Sequence, residues 1–272
     1  MAKAKGPSRP SMHRVADAFL RDTCRTVVET SLGTRPTATH FSEAGIGGLS
    51  ACISIHRAGH NVSLLESAKE LREIGAGVLI SPNATRELIK WGLDDELHDL
   101  IVHSRVSRVL RWKDGAVLSE VAIDPDVIQK KYGAPTWTVH RADLHQGLIR
   151  KVKQLGIPIR LGSKVIEADV DSASVTISTG EVFQCDFIVG ADGVRSKLRD
   201  ILCGQPTPAQ PTGDYAFQFA LDIDKHRDDP VIGRLTREKA ATAWWGGGRH
   251  HDTETLPEWP AQVATGRNTN PV

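Results

Sequence analysis

The sequence has few aromatic residues, few cysteines and almost no net charge, and each of these shortages excludes a class of protein. Aromatic residues make up 5% of the 272 residues, and the formal net charge is +1. This balance gives no general reason to expect a nucleic acid or an anionic membrane surface as a partner. No Cys-x-x-Cys pair occurs, and the cysteines are widely separated at Cys24, Cys52, Cys185 and Cys203. We therefore expect neither a structural zinc site nor a disulfide scaffold, and we expect a reducing, cytoplasmic compartment.

Long apolar runs and metal-binding motifs are also missing. No stretch approaches the ~18 consecutive apolar residues of a membrane span, so we expect no stable membrane insertion. The histidines show no His-Glu-x-x-His or comparable spacing, and we expect no metal site. His140 and His145 flank a predicted helix start, where a structural role is the better interpretation.

The segment Glu43–Ser50 has the spacing of a phosphate-binding turn at the start of a helix. Gly45 and Gly48 take the second and third glycine positions of a Gly-x-Gly-x-x-Gly fingerprint, but Glu43 takes the first. Such a turn needs exposed backbone N–H groups, the positive end of a helix dipole and no obstructing side chain. Glu66 ends a predicted buried strand, near the spacing at which an acid binds a ribose. The pattern predicts a nucleotide-binding βαβ unit, although glycines can also serve helix–strand packing alone.

The place of the first strand is poorly filled. A central parallel strand is normally a run of Val, Ile and Leu, whereas Thr37–Ser42 is half polar and follows Pro36. A second buried strand, Asp186–Gly190, is convincing and leads into Asp192 and Gly193. Asp192 would either meet a ligand hydroxyl or cap the following helix, two roles that are compatible.

Several motifs occur in the order and rough spacing of one family. They are Gly45-Ile-Gly-Gly-Leu-Ser, Glu66 at its strand end, Leu71-Arg-Glu-Ile-Gly-Ala-Gly-Val, Ser81-Pro-Asn-Ala-Thr, Val139-His-Arg-Ala-Asp-Leu and Cys185-Asp-Phe-Ile-Val-Gly-Ala-Asp-Gly-Val-Arg-Ser. Over roughly residues 44–250 the chain resembles the single-component FAD-dependent aromatic hydroxylases, and it is closest to their salicylate hydroxylase-like branch. The resemblance implies an α/β, glutathione-reductase-like (Rossmann-type) FAD-binding fold, incomplete, with part of a β-rich substrate layer.

The resemblance also implies roles for particular residues. The FAD pyrophosphate would lie against the turn formed by Gly45, Gly47 and Gly48, and the adenosine ribose would be bound by Glu66. Two arginines would lie near the flavin nucleotide, Arg72 and Arg141, although a solvated surface charge is the alternative for each. The motif shared by FAD and NAD(P)H is Asp192-Gly193, and Arg199 is well spaced to meet a pyridine-nucleotide phosphate. No residue is predicted to act as a catalytic acid, base or nucleophile.

The domain organisation and activity follow from the same resemblance. We expect a disordered or loosely packed arm over residues 1–42, for which a targeting segment is the alternative, and an irregular tail over 251–272. Between them we expect the first two thirds of an FAD-binding domain at 43–204 and the start of the substrate layer at 205–250. The expected activity is hydroxylation of a small aromatic acid with FAD, NADH or NADPH, and oxygen.

Three departures from the family pattern leave other interpretations open. Glu43 replaces the first fingerprint glycine, the first strand is poor, and the family's closing Gly-Asp motif is not found. We therefore expect a chain that is truncated or mis-assembled at both ends. The alternatives to an active hydroxylase are an inactive fragment of such an enzyme and a nucleotide-binding module without catalysis.

Overall fold

The computed structural model describes residues 38–71, 77–210, 215–220, 225, 228–230, 233, 240–246, 249–255 and 262–268. The chain divides into two compact units, the first within Met1–Glu70 and Val152–Thr207, the second within Leu71–Lys151 and Pro208–Val272. Most of the predicted N-terminal arm and Arg72 lie outside the described residues.

The described helices and strands alternate along much of the chain. In order they are β1 (Ala38–Ser42), α1 (Ile46–Arg57), β2 (Asn61–Leu65), β3 (Gly77–Ile80), α2 (Pro82–Lys90), α3 (Leu93–Leu97), β4 (Val106–Arg111), β5 (Val117–Ala122), α4 (Pro125–Tyr132), β6 (Trp137–His140), α5 (Arg141–Gln154), β7 (Ile159–Arg160), β8 (Val165–Asp169), β9 (Ser174–Ile177), β10 (Val182–Gln184), β11 (Phe187–Gly190), α6 (Lys197–Cys203), β12 (Tyr215–Ala220), β13 (Ala240–Gly246), β14 (Arg249–Thr255) and β15 (Gln262–Asn268).

The first unit is built on a parallel sheet of the expected α/β kind. Its strands lie in the order β11-β1-β2-β7, and each neighbouring pair is parallel. Helix α1 connects β1 to β2, as parallel neighbours require a crossover. A smaller antiparallel sheet in the order β10-β9-β8 also belongs to this unit. The sheet and its crossover helix confirm the predicted fold class.

Strand β1 forms in the centre of this sheet despite its polar sequence. Thr39 pairs with Phe187 on one side and with Val62 on the other. Both backbone edges of β1 are therefore hydrogen-bonded, and this pairing overrides the weak strand preference of the segment. The cost is visible at Thr39, which is 1% exposed and whose hydroxyl has no hydrogen-bond partner in the part of the chain that the structure describes.

Helix α1 contributes its apolar face to the core of the first unit. Leu49, Cys52 and Ile53 are each 0% exposed. Burial of one such leucine or isoleucine side chain stabilises the fold by roughly 1.5–3 kcal/mol. The sequence predicts a helix here because Ile46, Leu49 and Ile53 recur at helical spacing, and two of these residues, Leu49 and Ile53, lie in the core.

The second unit contains an antiparallel pair and a larger mixed sheet. The pair is β3 with β6, and the larger sheet has the order β12-β15-β14-β13-β4-β5, in which only β13 and β4 are parallel. The pair Asp114-Gly115 is a turn sequence that predicts a hairpin between its flanking strands. Gly115, with φ +70°, lies in the turn between β4 and β5, so the hairpin is present. Strands β14 and β15 fall in or next to the segment for which the sequence predicts an irregular tail. Among the described helices, none has the length and apolar character needed to cross a membrane.

Buried threonines provide a test of this packing. Thr138, like Thr39, is 1% exposed with a hydroxyl that lacks a partner within the described ranges, whereas Thr85 is 0% exposed and donates to the Pro135 carbonyl at 2.6 Å. Thr138→Val should raise the free energy of unfolding by about 1 kcal/mol, because an unsatisfied hydroxyl is removed at similar shape. Thr85→Val should lower it by about 1 kcal/mol. Urea unfolding measures both, and equal losses in the two variants would contradict this account.

Cysteine reactivity provides a second test. Burial raises the pKa of the Cys52 thiol to about 12, whereas Cys203 is exposed. Because the thiolate is the nucleophile, iodoacetamide at about pH 8 should label Cys203 in the native protein and leave Cys52 unmodified until denaturant is added. Peptide mass spectrometry measures labelling at each site. Fast native labelling of Cys52 would show that α1 is not packed on the sheet.

Candidate functional site

The turn between β1 and α1 keeps the backbone of a glycine fingerprint although its first glycine is missing. Glu43 has φ +78°, in the left-handed region that favours glycine. A residue with a Cβ pays roughly 1–2 kcal/mol to adopt this conformation. The Glu43 N–H donates to the Leu65 carbonyl at 2.7 Å, which ties the turn to the end of β2. The residue at position 43 departs from the fingerprint, but its backbone keeps the left-handed conformation that favours glycine.

Gly48 permits a close approach that any side chain would prevent. A Cβ built at Gly48 would lie 2.1 Å from the Glu43 carbonyl oxygen and 3.3 Å from the Ala191 Cβ. Contacts below about 3 Å are not tolerated without movement of the backbone, so the start of α1 can only lie against the turn because residue 48 is glycine. This is the packing role that the third fingerprint glycine is expected to have.

The start of α1 is suited to an anion. Apart from their chain neighbours and the nearby backbone of the helix itself, built Cβ atoms at Gly45 and Gly47 meet no atom of the described structure within 4 Å. Gly45 is the N-cap residue, no side chain caps this helix end, and the first turn has no acidic residue. The N–H groups and the positive end of the helix dipole are therefore available to phosphate oxygens. These features fit the pyrophosphate of a dinucleotide such as FAD.

Glu66 is a buried acid held by backbone N–H groups. It is 6% exposed, and its Oε2 accepts from the Ala44 N–H at 2.6 Å. Its Oε1 accepts from the Ala68 N–H at 2.6 Å and from the Ser67 hydroxyl at 3.2 Å. A carboxylate has about four acceptor positions, so roughly one remains for a ligand hydroxyl.

The Glu43 carboxylate lies beside the same serine. Its Oε2 is 3.1 Å from the Ser67 hydroxyl oxygen. Ser67 has one hydroxyl proton, so it can serve Glu43 or Glu66 at any moment but not both fully. Burial raises the pKa of Glu43, the Ser67 hydrogen bond lowers it, and the negative charges of Glu66 and Asp192 raise it further. Sequence reasoning missed Ser67, for which its position directly after Glu66 was the available signal.

Asp192 caps the helix that follows it. Its Oδ1 accepts from the Ser196 hydroxyl at 2.6 Å, and its Oδ2 accepts from the N–H groups of Lys197 at 2.6 Å and Leu198 at 3.0 Å. Gly193 has φ +70°, which provides the tight bend expected there. The capping role considered from the sequence is therefore present, and a ligand contact of Asp192 remains a prediction.

Arg199 is engaged within the first unit. Its Nε donates to the Thr207 hydroxyl at 2.7 Å, and its Nη2 donates to the carbonyls of Thr207 at 2.7 Å and Val194 at 3.2 Å. Asp200 Oδ1 in turn accepts from the Thr207 N–H at 2.8 Å and hydroxyl at 2.6 Å. Arg199 thus fastens the chain at residue 207 to helix α6, a role that its spacing did not indicate. Its predicted contact with a pyridine nucleotide stays a prediction.

The predicted site residues divide between the two units. Gly45, Gly47, Gly48, Glu66, Asp192, Gly193 and Arg199 all belong to the first unit. Arg141 is half-buried and begins α5 in the second unit, where His140 Nδ1 accepts the Ala142 N–H at 3.2 Å. Arg72 lies outside the described residues. No group of three or more His, Cys, Asp or Glu suited to a metal ion occurs among the residues described.

The chain matches a family model described as an FAD binding domain over residues 44–229. FAD-dependent monooxygenase OpS4 of Beauveria bassiana (strain ARSEF 2860) is 35% identical over 208 residues, which are 76% of this chain and 49% of OpS4. The 3-hydroxybenzoate 6-hydroxylase 1 of Aquipseudomonas alcaligenes is 31% identical over 212 residues, which are 76% of this chain and 51% of the relative. The chain spans about half the length of these curated relatives.

Solved structures of similar fold are also known. Native FqzB gives a TM-score of 0.72 at 25% identity, covering 88% of this chain and 55% of FqzB. CtdE in complex with FAD gives 0.69 at 21% identity, covering 87% and 60% of the two chains, and this second likeness concerns the fold alone. With the glycine-like turn, the matched domain and these relatives in agreement, the chain belongs to the FAD-dependent aromatic-ring monooxygenase family, and its residues 44–229 match the FAD-binding domain.

Proposed function

We propose that this chain acts as an FAD-dependent monooxygenase that uses NADH or NADPH and oxygen to hydroxylate a small aromatic acid. The observation that carries the proposal is the turn at residues 43–48, whose glycine-like backbone and close helix approach suit a pyrophosphate. The aromatic acid is suggested by the relative whose name gives 3-hydroxybenzoate as its substrate. When bound, FAD supplies the redox and oxygen chemistry, and the protein supplies binding, orientation and exclusion of water.

The residues of the first unit would hold the cofactor in three ways. The N–H groups at Gly45, Gly47 and Gly48 would face the pyrophosphate at the positive end of α1. Glu66 would accept a hydrogen bond from the adenosine ribose with its remaining acceptor position. Asp192 would keep its contacts to α6 and accept from a ligand hydroxyl in addition, with Gly193 bending the chain around it.

The proposed roles of the arginines rest on the family resemblance. Arg141 and Arg72 would lie near the flavin nucleotide, because a guanidinium matches phosphate oxygens in charge and geometry. Arg199 would contact a phosphate of NAD(P)H either while it keeps its hydrogen bonds to Thr207 or after it has exchanged them for the phosphate. The FAD-binding domain is proposed to extend over 43–204, and the substrate layer to begin after it, where β12 and β13 lie.

Glu43 opposes cofactor binding in this proposal. Two unit charges about 4 Å apart repel by about 1 kcal/mol in water and by about 4 kcal/mol at an effective dielectric constant near 20. The Glu43 carboxylate lies near Ser67, on the same side of the turn as Glu66. An ionised Glu43 would therefore repel a bound pyrophosphate from that side.

The proposed activity is tested with the purified full chain supplied with FAD. Retained flavin absorbance after desalting, together with oxidation of NADH or NADPH that 3-hydroxybenzoate or a related acid stimulates, is the expected result. Product analysis by mass spectrometry must show one added oxygen atom. Bound FAD without stimulated oxidation would favour a nucleotide-binding module, and no bound FAD in any condition would favour an inactive fragment.

Two glycines of the turn form a matched pair for testing the site. Gly48→Ala should weaken FAD binding by at least about tenfold, equivalent to about 1.4 kcal/mol, because a Cβ there collides with the Glu43 carbonyl. Gly47→Ala meets no atom within 4 Å and should fold as well as the wild type, with a gain of up to about 1 kcal/mol in stability from the helix preference of alanine.

Flavin titration measures the FAD affinity of both variants, and thermal unfolding measures their stability. The stability of Gly48→Ala should also fall, because backbone must shift to admit the methyl group. Wild-type affinity and stability in Gly48→Ala would show that the close approach does not support the site.

A further inference from the structure

We propose that Glu43 makes nucleotide binding at this turn depend on pH, so that FAD is held tightly when Glu43 is neutral and is weakened when Glu43 is ionised. The inference rests on the proposed function, because it requires FAD to bind at the start of α1. It assigns a regulatory role to a residue that the family pattern explains only as a missing glycine.

The position of Glu43 is fixed by its own backbone. Its N–H donates to the Leu65 carbonyl at 2.7 Å, and its carbonyl oxygen is the atom that Gly48 approaches most closely. With φ at +78°, the residue has little freedom to move its side chain away by rotating the chain. A half-buried carboxyl group is therefore anchored at the turn itself.

The groups around this carboxyl favour its neutral form. Glu66 faces it from the end of β2, and Asp192 acts on it from the segment after β11, both with negative charge. The first turn of α1 has no acidic residue, and the basic residues in its last turn are His56 and Arg57. Burial, followed by these two carboxylates, raises the pKa of Glu43 against the opposing hydrogen bond of Ser67.

The single hydroxyl proton of Ser67, which lies beside both carboxyl groups, explains why ionisation of Glu43 is unfavourable. When Glu43 is ionised, two carboxylates compete for the one proton of Ser67. When Glu43 is neutral, it has a proton of its own to donate, and hydrogen bonding with Glu66 favours this form. A nearby pyrophosphate would add negative charge and favour the neutral form still more.

The direction of the effect follows from linkage. The folded protein holds a proton on Glu43 at pH values where the unfolded chain has lost it, so stability rises as pH falls toward the ordinary carboxyl value of 4.5. If bound FAD raises this pKa again, binding takes up a proton. The dissociation constant then rises with pH, by up to about tenfold per pH unit between the pKa values of the free and bound forms.

FAD titrations of the full chain from about pH 4.5, the ordinary carboxyl value, to about pH 8.5 test the proposal. Wild type should lose affinity as pH rises, whereas Glu43→Gln should show a flat profile, because the amide cannot ionise. Glu43→Gly should also be flat and should be more stable to unfolding than Glu43→Gln, because the left-handed strain is removed as well. Glu167→Gln, at an exposed position on β8, is the matched control and should keep the wild-type slope.

Thermal unfolding without FAD over the same range gives a second measurement. Wild type should become less stable relative to Glu43→Gln as pH rises, and this difference requires no ligand. Equal pH dependence of FAD affinity in wild type and Glu43→Gln would overturn the inference and leave the proposed function standing. Failure of every variant, Glu43→Gly included, to bind FAD at any pH would overturn both.

Discussion

The close approach of Gly48 to the Glu43 carbonyl is the constraint on which the site depends. Because no Cβ fills that space, α1 starts directly against the turn and beside Ala191, the residue after β11. At the same turn the Ala44 N–H donates to Glu66 Oε2, at the end of β2, at 2.6 Å. Three strand ends of the parallel sheet thus meet at one helix start, which is where ligands bind in open α/β sheets.

The turn tolerates a strained glutamate because stronger interactions hold it. A non-glycine residue in the left-handed region costs roughly 1–2 kcal/mol. Hydrogen bonds to a charged group contribute about 1.5–3 kcal/mol each, and Glu66 accepts one from the N–H of Ala44, the residue next to Glu43. The Glu43 N–H also donates to the Leu65 carbonyl. Together these bonds offset the strain at Glu43, and the path of the chain survives the loss of the first glycine.

Local patterns predicted the parts of the fold and site that depend on local chemistry. The spacing of Gly48 and Glu66 indicated the turn, and Asp114-Gly115 indicated a hairpin, because few residues can take those roles. Strand β1 was not indicated, since its stability comes from pairing with β11, about 150 residues later in the chain. The hold of Arg199 on Thr207 was missed for a related reason, because the partner lies beyond the helix and no motif marks it.

The electrostatics of the turn give Glu43 an influence beyond its strain. Residues 43–50 contain no Lys or Arg, so within that stretch the positive potential comes from the backbone at the start of α1. A helix N-terminus is equivalent to roughly half a positive charge. One ionised carboxylate at the same turn adds a full negative charge to those of Glu66 and Asp192 and opposes the helix dipole, whereas a neutral carboxyl adds none. The protonation state of Glu43 therefore changes how strongly this helix start attracts a phosphate.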